Sequence, residues 1–173
     1  NLVSEKEAGT IEQINVSPVS RLTFTLSKLI PYWIIGLLVL TLAMVIAWVA
    51  YGLVPVGSIW IIYVVTLLFS FVMSGLGVSI ANCSSTMQQS MYVMFFFIII
   101  FQLMSGLMTP IDSMPQWAQY ITYVIPPRYF IEIMRSVYLK GSMFSELWQD
   151  FSMLAVFAVF VCLAAMITYK KQS

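Results

Sequence analysis

The side chains able to do acid–base or ionic chemistry in this chain fall into three groups. Glu5, Lys6, Glu7, Glu12, Arg21 and Lys28 lie in a polar head. Asp112, Arg128, Glu132, Arg135, Lys140, Glu146 and Asp150 lie between two apolar stretches, and Lys170 and Lys171 near the end. There is no His, which excludes a histidine base or a His-built zinc site within these residues. Cys83 and Cys162 are far apart, each without a second Cys nearby, and read as reduced thiols rather than metal ligands. No GxxxxGK[ST] loop occurs, so ATP is not bound in that way. The expectation is a chain with no catalytic site and no bound cofactor. Any energy for active movement would come from a partner.

These groups are separated by the elements that must hold them. From Leu29 to Ile111, and again from Phe151 to Tyr169, no Asp, Glu, Lys, Arg or His occurs. A bilayer core takes roughly 20 apolar residues per helix at about 1.5 Å rise each. The first stretch therefore holds three spans, expected at about 29–51, 58–80 and 91–108, and the second holds one, at about 151–169. Hydrophobic content of 61% and a mean hydropathy of +0.93 lie outside the usual soluble balance. The fold class is an all-α membrane protein of about four transmembrane helices, with residues 29–173 as the transmembrane domain. Proton-coupled carriers and intramembrane enzymes commonly carry ionisable groups inside their spans; these spans have none. A secondary carrier using broken helices and a non-transporting scaffold remain alternatives. A net charge of +1 gives no reason to expect nucleic acid as a partner. Asn1 stands where an initiator Met or signal peptide would, which predicts the later part of a longer protein.

Residues 1–28 are the polar head. Ser4 with Glu7, and Thr10 with Gln13, have capping-box spacing, and Ser17-Pro18 is a helix start. Leu22, Leu26, Leu29 and Ile30 then recur at helical steps, predicting a helix at the membrane surface before the first span, with a kink at Pro31. In the second span, Gly75 with Ser79 and Gly77 with Ala81 have the small-xxx-small spacing that permits close helix contact. Asn82–Ser90 reads as a polar connection. Residues 112–141 hold two helices too short to cross. One starts at Pro115 and is stopped by Pro126-Pro127; the other runs from Arg128 to Lys140 and ends at Gly141. Arg128–Glu132 and Glu132–Arg135 are spaced to pair along that second helix. The expectation is a re-entrant helical hairpin, covered by protein where it enters the bilayer. Basic residues at the two ends (Lys6, Arg21, Lys28, Lys170, Lys171) outnumber those of the hairpin (Arg128, Arg135, Lys140), which favours cytoplasmic ends.

Two stretches together resemble the membrane subunit of an ABC exporter of the second, ABC-2, type. EKEAGTIEQINVSPVSRL (Glu5–Leu22) is similar to the coupling segment of that family, an E-x-G-T-x-E core before a Ser-Pro helix start. IDSMPQWAQYITYVIPPRYFIEIMRSVYLKG (Ile111–Gly141) is similar to the re-entrant outer helices between its last two spans. The resemblance implies six spans in the full subunit, of which these are the third to sixth, in the cell inner membrane. It implies that residues 1–28, and within them Glu7, Gly9, Thr10 and Glu12, dock on an ABC ATPase subunit carrying ATP and Mg. It assigns Pro126, Pro127, Arg128, Glu132 and Arg135 to a re-entrant gate. The implied partners are the ATPase, separate or fused, a second permease subunit as homo- or heterodimer, the bilayer, and a periplasmic adaptor as a further candidate. The implied activity is ATP-driven export of a small amphiphile or drug, with a lipid-linked glycan as the alternative cargo.

Overall fold

The computed structural model describes residues 2–9 and 21–170. Among them there is no strand. The order is α1 (Leu2–Glu7), α2 (Arg21–Tyr51), α3 (Ile59–Cys83), α4 (Met87–Met104), α5 (Gln116–Thr122), α6 (Pro126–Arg135) and α7 (Trp148–Lys170). A 3-10 turn at Ile111–Ser113 precedes α5, and a π-helical turn, Ser136–Lys140, continues α6. Four helices, α2, α3, α4 and α7, are long and apolar enough to cross a membrane. Their outward side chains, such as Leu38, Val39, Phe95, Phe96 and Phe160, are exposed apolar groups, the surface that lipid rather than water would solvate.

The helix ends show what the side chains do locally. α2 stays helical through Pro31, so the expected surface helix and first span are continuous over the described residues. The polar connection expected over Asn82–Ser90 is mostly helix, with only Ser84–Thr86 between α3 and α4. Thr86 caps α4, its hydroxyl accepting from the Gln89 backbone N–H at 3.2 Å, while the Gln89 side-chain oxygen accepts from the Ser85 N–H at 3.1 Å. Thr86-Met87-Gln88-Gln89 is thus close to a capping box. Polarity marked a loop where it marks a helix start. α4 ends at Gly106, whose φ of +84° supplies the left-handed stop. Pro126 and Pro127 do not merely end α5. They occupy the first two positions of α6, where a missing N–H costs nothing and φ is already helical.

The core lies between α3, α6 and α7. Ile62 and Val65 of α3 meet Tyr129 and Ile133 of α6, Val137 beyond it, and Leu147, Phe151 and Leu154 at the start of α7. Further along α3, Val72 packs on Ala158 and Val161. There Gly75 lets the helices touch, since a Cβ at that position would lie 2.3 Å from Val161 Cγ1. Gly77 has no such neighbour within 4 Å, so of the two small-residue pairs only the one beginning at Gly75 lies in this contact. α2 is tied to α3 by hydrogen bonds, the Trp33 indole N–H donating to Ser74 Oγ at 2.7 Å and Thr41 and Tyr63 sharing a bond of 2.6 Å.

Candidate functional site

Two clusters of polar contacts lie at opposite ends of the bundle. They are called inner and outer from the expectation of cytoplasmic ends; the inner one is built on α1. Val3 is buried and seats this short helix against α3 and α4. The Glu5 carboxylate forms an ion pair with Lys28, near the start of α2; Lys28 also lies 4.4 Å from the centroid of the Phe24 ring. Glu7 Oε1 accepts a hydrogen bond of 2.7 Å from the backbone N–H of Met87, the first residue of α4. A carboxylate there meets an otherwise unsatisfied helix N–H and the positive end of the helix dipole. Gly9, with φ of +71°, turns the chain just after α1, a conformation that suits glycine. Thr10 and Glu12 lie outside the described residues. Of the predicted coupling residues, Glu7 is therefore brought onto the spans themselves, to a partner eighty positions away that its spacing does not reveal.

The outer cluster is the helical pair α5–α6. Phe130 stacks on Phe69, centroids 4.3 Å apart and planes 15° from parallel. Phe69 is ten residues past the start of α3, or about 15 Å along its axis. Tyr129 lies 5.8 Å from Phe157 of α7 between ring centroids, and its hydroxyl donates to the Tyr123 carbonyl at 2.8 Å. The π-helical turn presents two carbonyls to the α2–α3 connection. Gly57 N–H donates to Val137 O at 3.0 Å and Val56 N–H to Tyr138 O at 3.2 Å. A Cβ at Gly57 would sit 2.8 Å from Val137 O, so this close approach requires glycine. Gly141, with φ of +69°, closes the turn as expected.

The charges of this pair are arranged differently from the expected ion pairs. No carboxylate lies within 4.0 Å of Arg128 or Arg135 among the described residues. The Arg128 guanidinium reaches back to the hydroxyl of buried Thr122 and lies 4.1 Å over the Tyr123 ring. A cation over an aromatic face, partly desolvated, gains more than the few tenths of a kcal/mol of an exposed helix pair. Arg135 donates to the carbonyl of Gly106, just past the end of α4, at 3.3 Å. Glu132 stays exposed. The two arginines thus tie α6 to α5 and to α4, and Pro126 and Pro127 are buried beneath them. Helical spacing puts Tyr129 and Tyr138 on one apolar side through 129–138, and Gly57 falls in the short turn after the first span, but the partners of the three are not visible in that spacing. Among the described residues no three of His, Cys, Asp and Glu come together as a metal site.

Four apolar helices around this outer pair define a multi-pass membrane protein of all-helical class. The family model described as ABC-2 family transporter protein matches residues 1–167, and the chain belongs to that family. Similar proteins include two from Escherichia coli strain K12 named as probable multidrug ABC transporter permeases. YbhR is 29% identical over 150 residues, covering 87% of this chain and 41% of the relative. YbhS is 32% identical over 139 residues, covering 80% and 37%. The inner membrane transport permease YhhJ of the same strain is 27% identical over 168 residues, covering 94% and 44%. The chain thus spans about two fifths of the length of the curated relatives it matches. No solved structure matches it significantly.

Proposed function

We propose that this chain supplies four spans of the permease subunit of an ATP-driven ABC exporter. Both of its ends face the cytoplasm, the polar head docks on the ATPase, and the α5–α6 pair re-enters the bilayer from the opposite side as a gate. The observation that carries the reading is the double attachment of α1: Glu5 to Lys28 at α2 and Glu7 to the first N–H of α4. A segment held at the starts of two spans can pass the rigid-body motion of a soluble partner directly to them. ATP and Mg belong to that partner, and a second permease subunit completes the path. The permease names of the relatives support the reading, and the multidrug names of two of them favour a small amphiphile or drug as cargo.

The test uses the full-length permease with its ATPase in liposomes. Replacing both Glu7 and Glu12 by Gln lowers transport-linked ATP turnover several-fold at normal membrane abundance; unchanged turnover would leave these carboxylates as solvated charges. For orientation, Ser142→Cys reacts with an impermeant thiol reagent from outside intact cells and Ser173→Cys does not. The reverse pattern would overturn the placement.

A further inference from the structure

Between α3, α4 and α6 lies an apolar groove of about 640 Å³, within the range of about 300–1,000 Å³ typical of ligand pockets. Its walls are aromatic and sulfur-bearing, with Phe69 and Met73 on α3, Phe101 on α4, and Phe130 and Met134 on α6. Flexible methionines beside aromatic rings suit variable apolar chains better than one rigid shape. Among the described residues Arg135 is the only charged side chain lining it. It makes one long hydrogen bond, to the neutral Gly106 carbonyl, and among those residues no carboxylate lies within 4.0 Å. A guanidinium has five donors, so most of its capacity is uncommitted. Gln102, whose side chain is exposed, and Ser105 lie beside it on the lining. A second apolar cavity of about 410 Å³, between α2, α3 and α7 and lined by Trp33, Ser74 and Cys162, has no charged side chain among the described residues.

We infer that the groove is a binding site for a single-chain anionic amphiphile. Its carboxylate or sulfate head pairs with Arg135 and its hydrocarbon chain lies between Phe101 and Phe130. An unpaired cation beside hydrocarbon is costly, and an anionic head relieves that cost with a charge-assisted, two-pronged contact. Ile98 and Leu139 on its rim are exposed, the side from which a chain carried in lipid would enter. This inference deepens the reading above, and rests on it in taking the α5–α6 pair to lie within the bilayer.

The experiment uses the full-length permease with its ATPase in nanodiscs, and two probes: dodecanoate bearing a diazirine in its chain, and the corresponding dodecyl alcohol. Photolysis with the carboxylate labels peptides of α4 and α6. Arg135→Gln lowers that labelling about tenfold at fixed probe concentration and leaves labelling by the alcohol unchanged. Arg135→Lys keeps most of it. Met134→Trp, which fills the groove and keeps the charge, lowers labelling by both probes. Thermal melting of each variant confirms that it is folded. Equal labelling by the two probes in the unaltered protein, or none lost in Arg135→Gln, overturns the site. So does efficient disulfide formation between copies carrying Ile98→Cys and Leu139→Cys, which would show a second copy covering the groove. ATP turnover is read on the same samples. Lost coupling with intact labelling counts against the exporter reading alone, and lost selectivity with intact coupling against the groove alone.

Discussion

The two ends of the bundle are held by different physics. At the outer end, α6 and the turn beyond it are embedded: Ile133 and Val137 are fully buried, Phe130 stacks on Phe69, and two backbone hydrogen bonds join the turn to the α2–α3 connection. At the inner end, α1 rests on one buried valine and two carboxylates. Apolar burial extends over a whole face, whereas the ionic contacts of α1 are two points, the Glu5–Lys28 pair partly buried and the Glu7 contact exposed, and exposed contacts of that kind are weak and screened. On the function proposed above, a partner would move the α1 end while the other keeps its shape. In the proposed re-entrant placement of α6 beside Phe69, little backbone would go unsatisfied, because the π-helical turn gives two carbonyls to Val56 and Gly57.

The contrast is broken most strongly in the outer core. Ile133→Ala removes a fully buried side chain from the junction of α3, α6 and α7, and is expected to cost about 2–5 kcal/mol. Melting in detergent or nanodiscs should fall clearly, with membrane yield following. A change near zero would mean that α6 is loosely laid on the bundle. Next is Gly57→Val. Its Cβ would meet Val137 O at 2.8 Å and Gly141 Cα at 3.3 Å, so the connection must shift, at about 1–3 kcal/mol. Hydrogen exchange at Gly141 and Ser142 should rise with it; unchanged protection would mean that the connection and the turn are not joined.

At the inner end the expected cost in stability is smaller and the cost in function larger. Glu7→Gln keeps an acceptor near Met87 but loses the charge at the helix start, worth about 0.3–1 kcal/mol. Melting moves little while ATP-coupled transport falls. A large loss of stability without a coupling defect would reverse the roles assigned to the two ends. The smallest effect is at Glu132. Sequence spacing would make it the hub of two ion pairs, and its removal more harmful than that of Glu146. Because Arg128 and Arg135 bind Thr122, Tyr123 and Gly106 instead, Glu132→Ala and Glu146→Ala should be indistinguishable in yield and melting. A clear deficit in Glu132→Ala alone would restore the ion-pair reading.

What the sequence disclosed follows from the range of each interaction. The four long helices were legible because the absence of charge over twenty residues is a local property, and so were the start at Pro115 and the stop at Gly141. The start of α4 was missed although Thr86 and Gln89 carry its capping signal locally, since a run of polar residues was weighed as a loop. The double proline was read as a stop only, when its lack of N–H groups equally suits a first turn. Partners distant in sequence were not legible. Nothing in the spacing of Glu7 points to Met87, nor of Gly57 to Val137, because such contacts depend on how the helices pack. Resemblance to a family drew attention to two segments and left their contacts open.

The most direct test of the link between the head and the spans is a distance. Spin labels at Ala8→Cys and Gln88→Cys, on α1's following turn and on the first turn of α4, are measured by pulsed electron resonance in the full transporter, with and without trapped nucleotide. If the Glu7 contact joins head to span, the pair keeps one narrow distance in both states, and Glu7→Gln broadens or lengthens it when nucleotide is trapped. Separation of the two labels in the unaltered protein on nucleotide trapping, or a distribution indifferent to Glu7→Gln, would contradict the account.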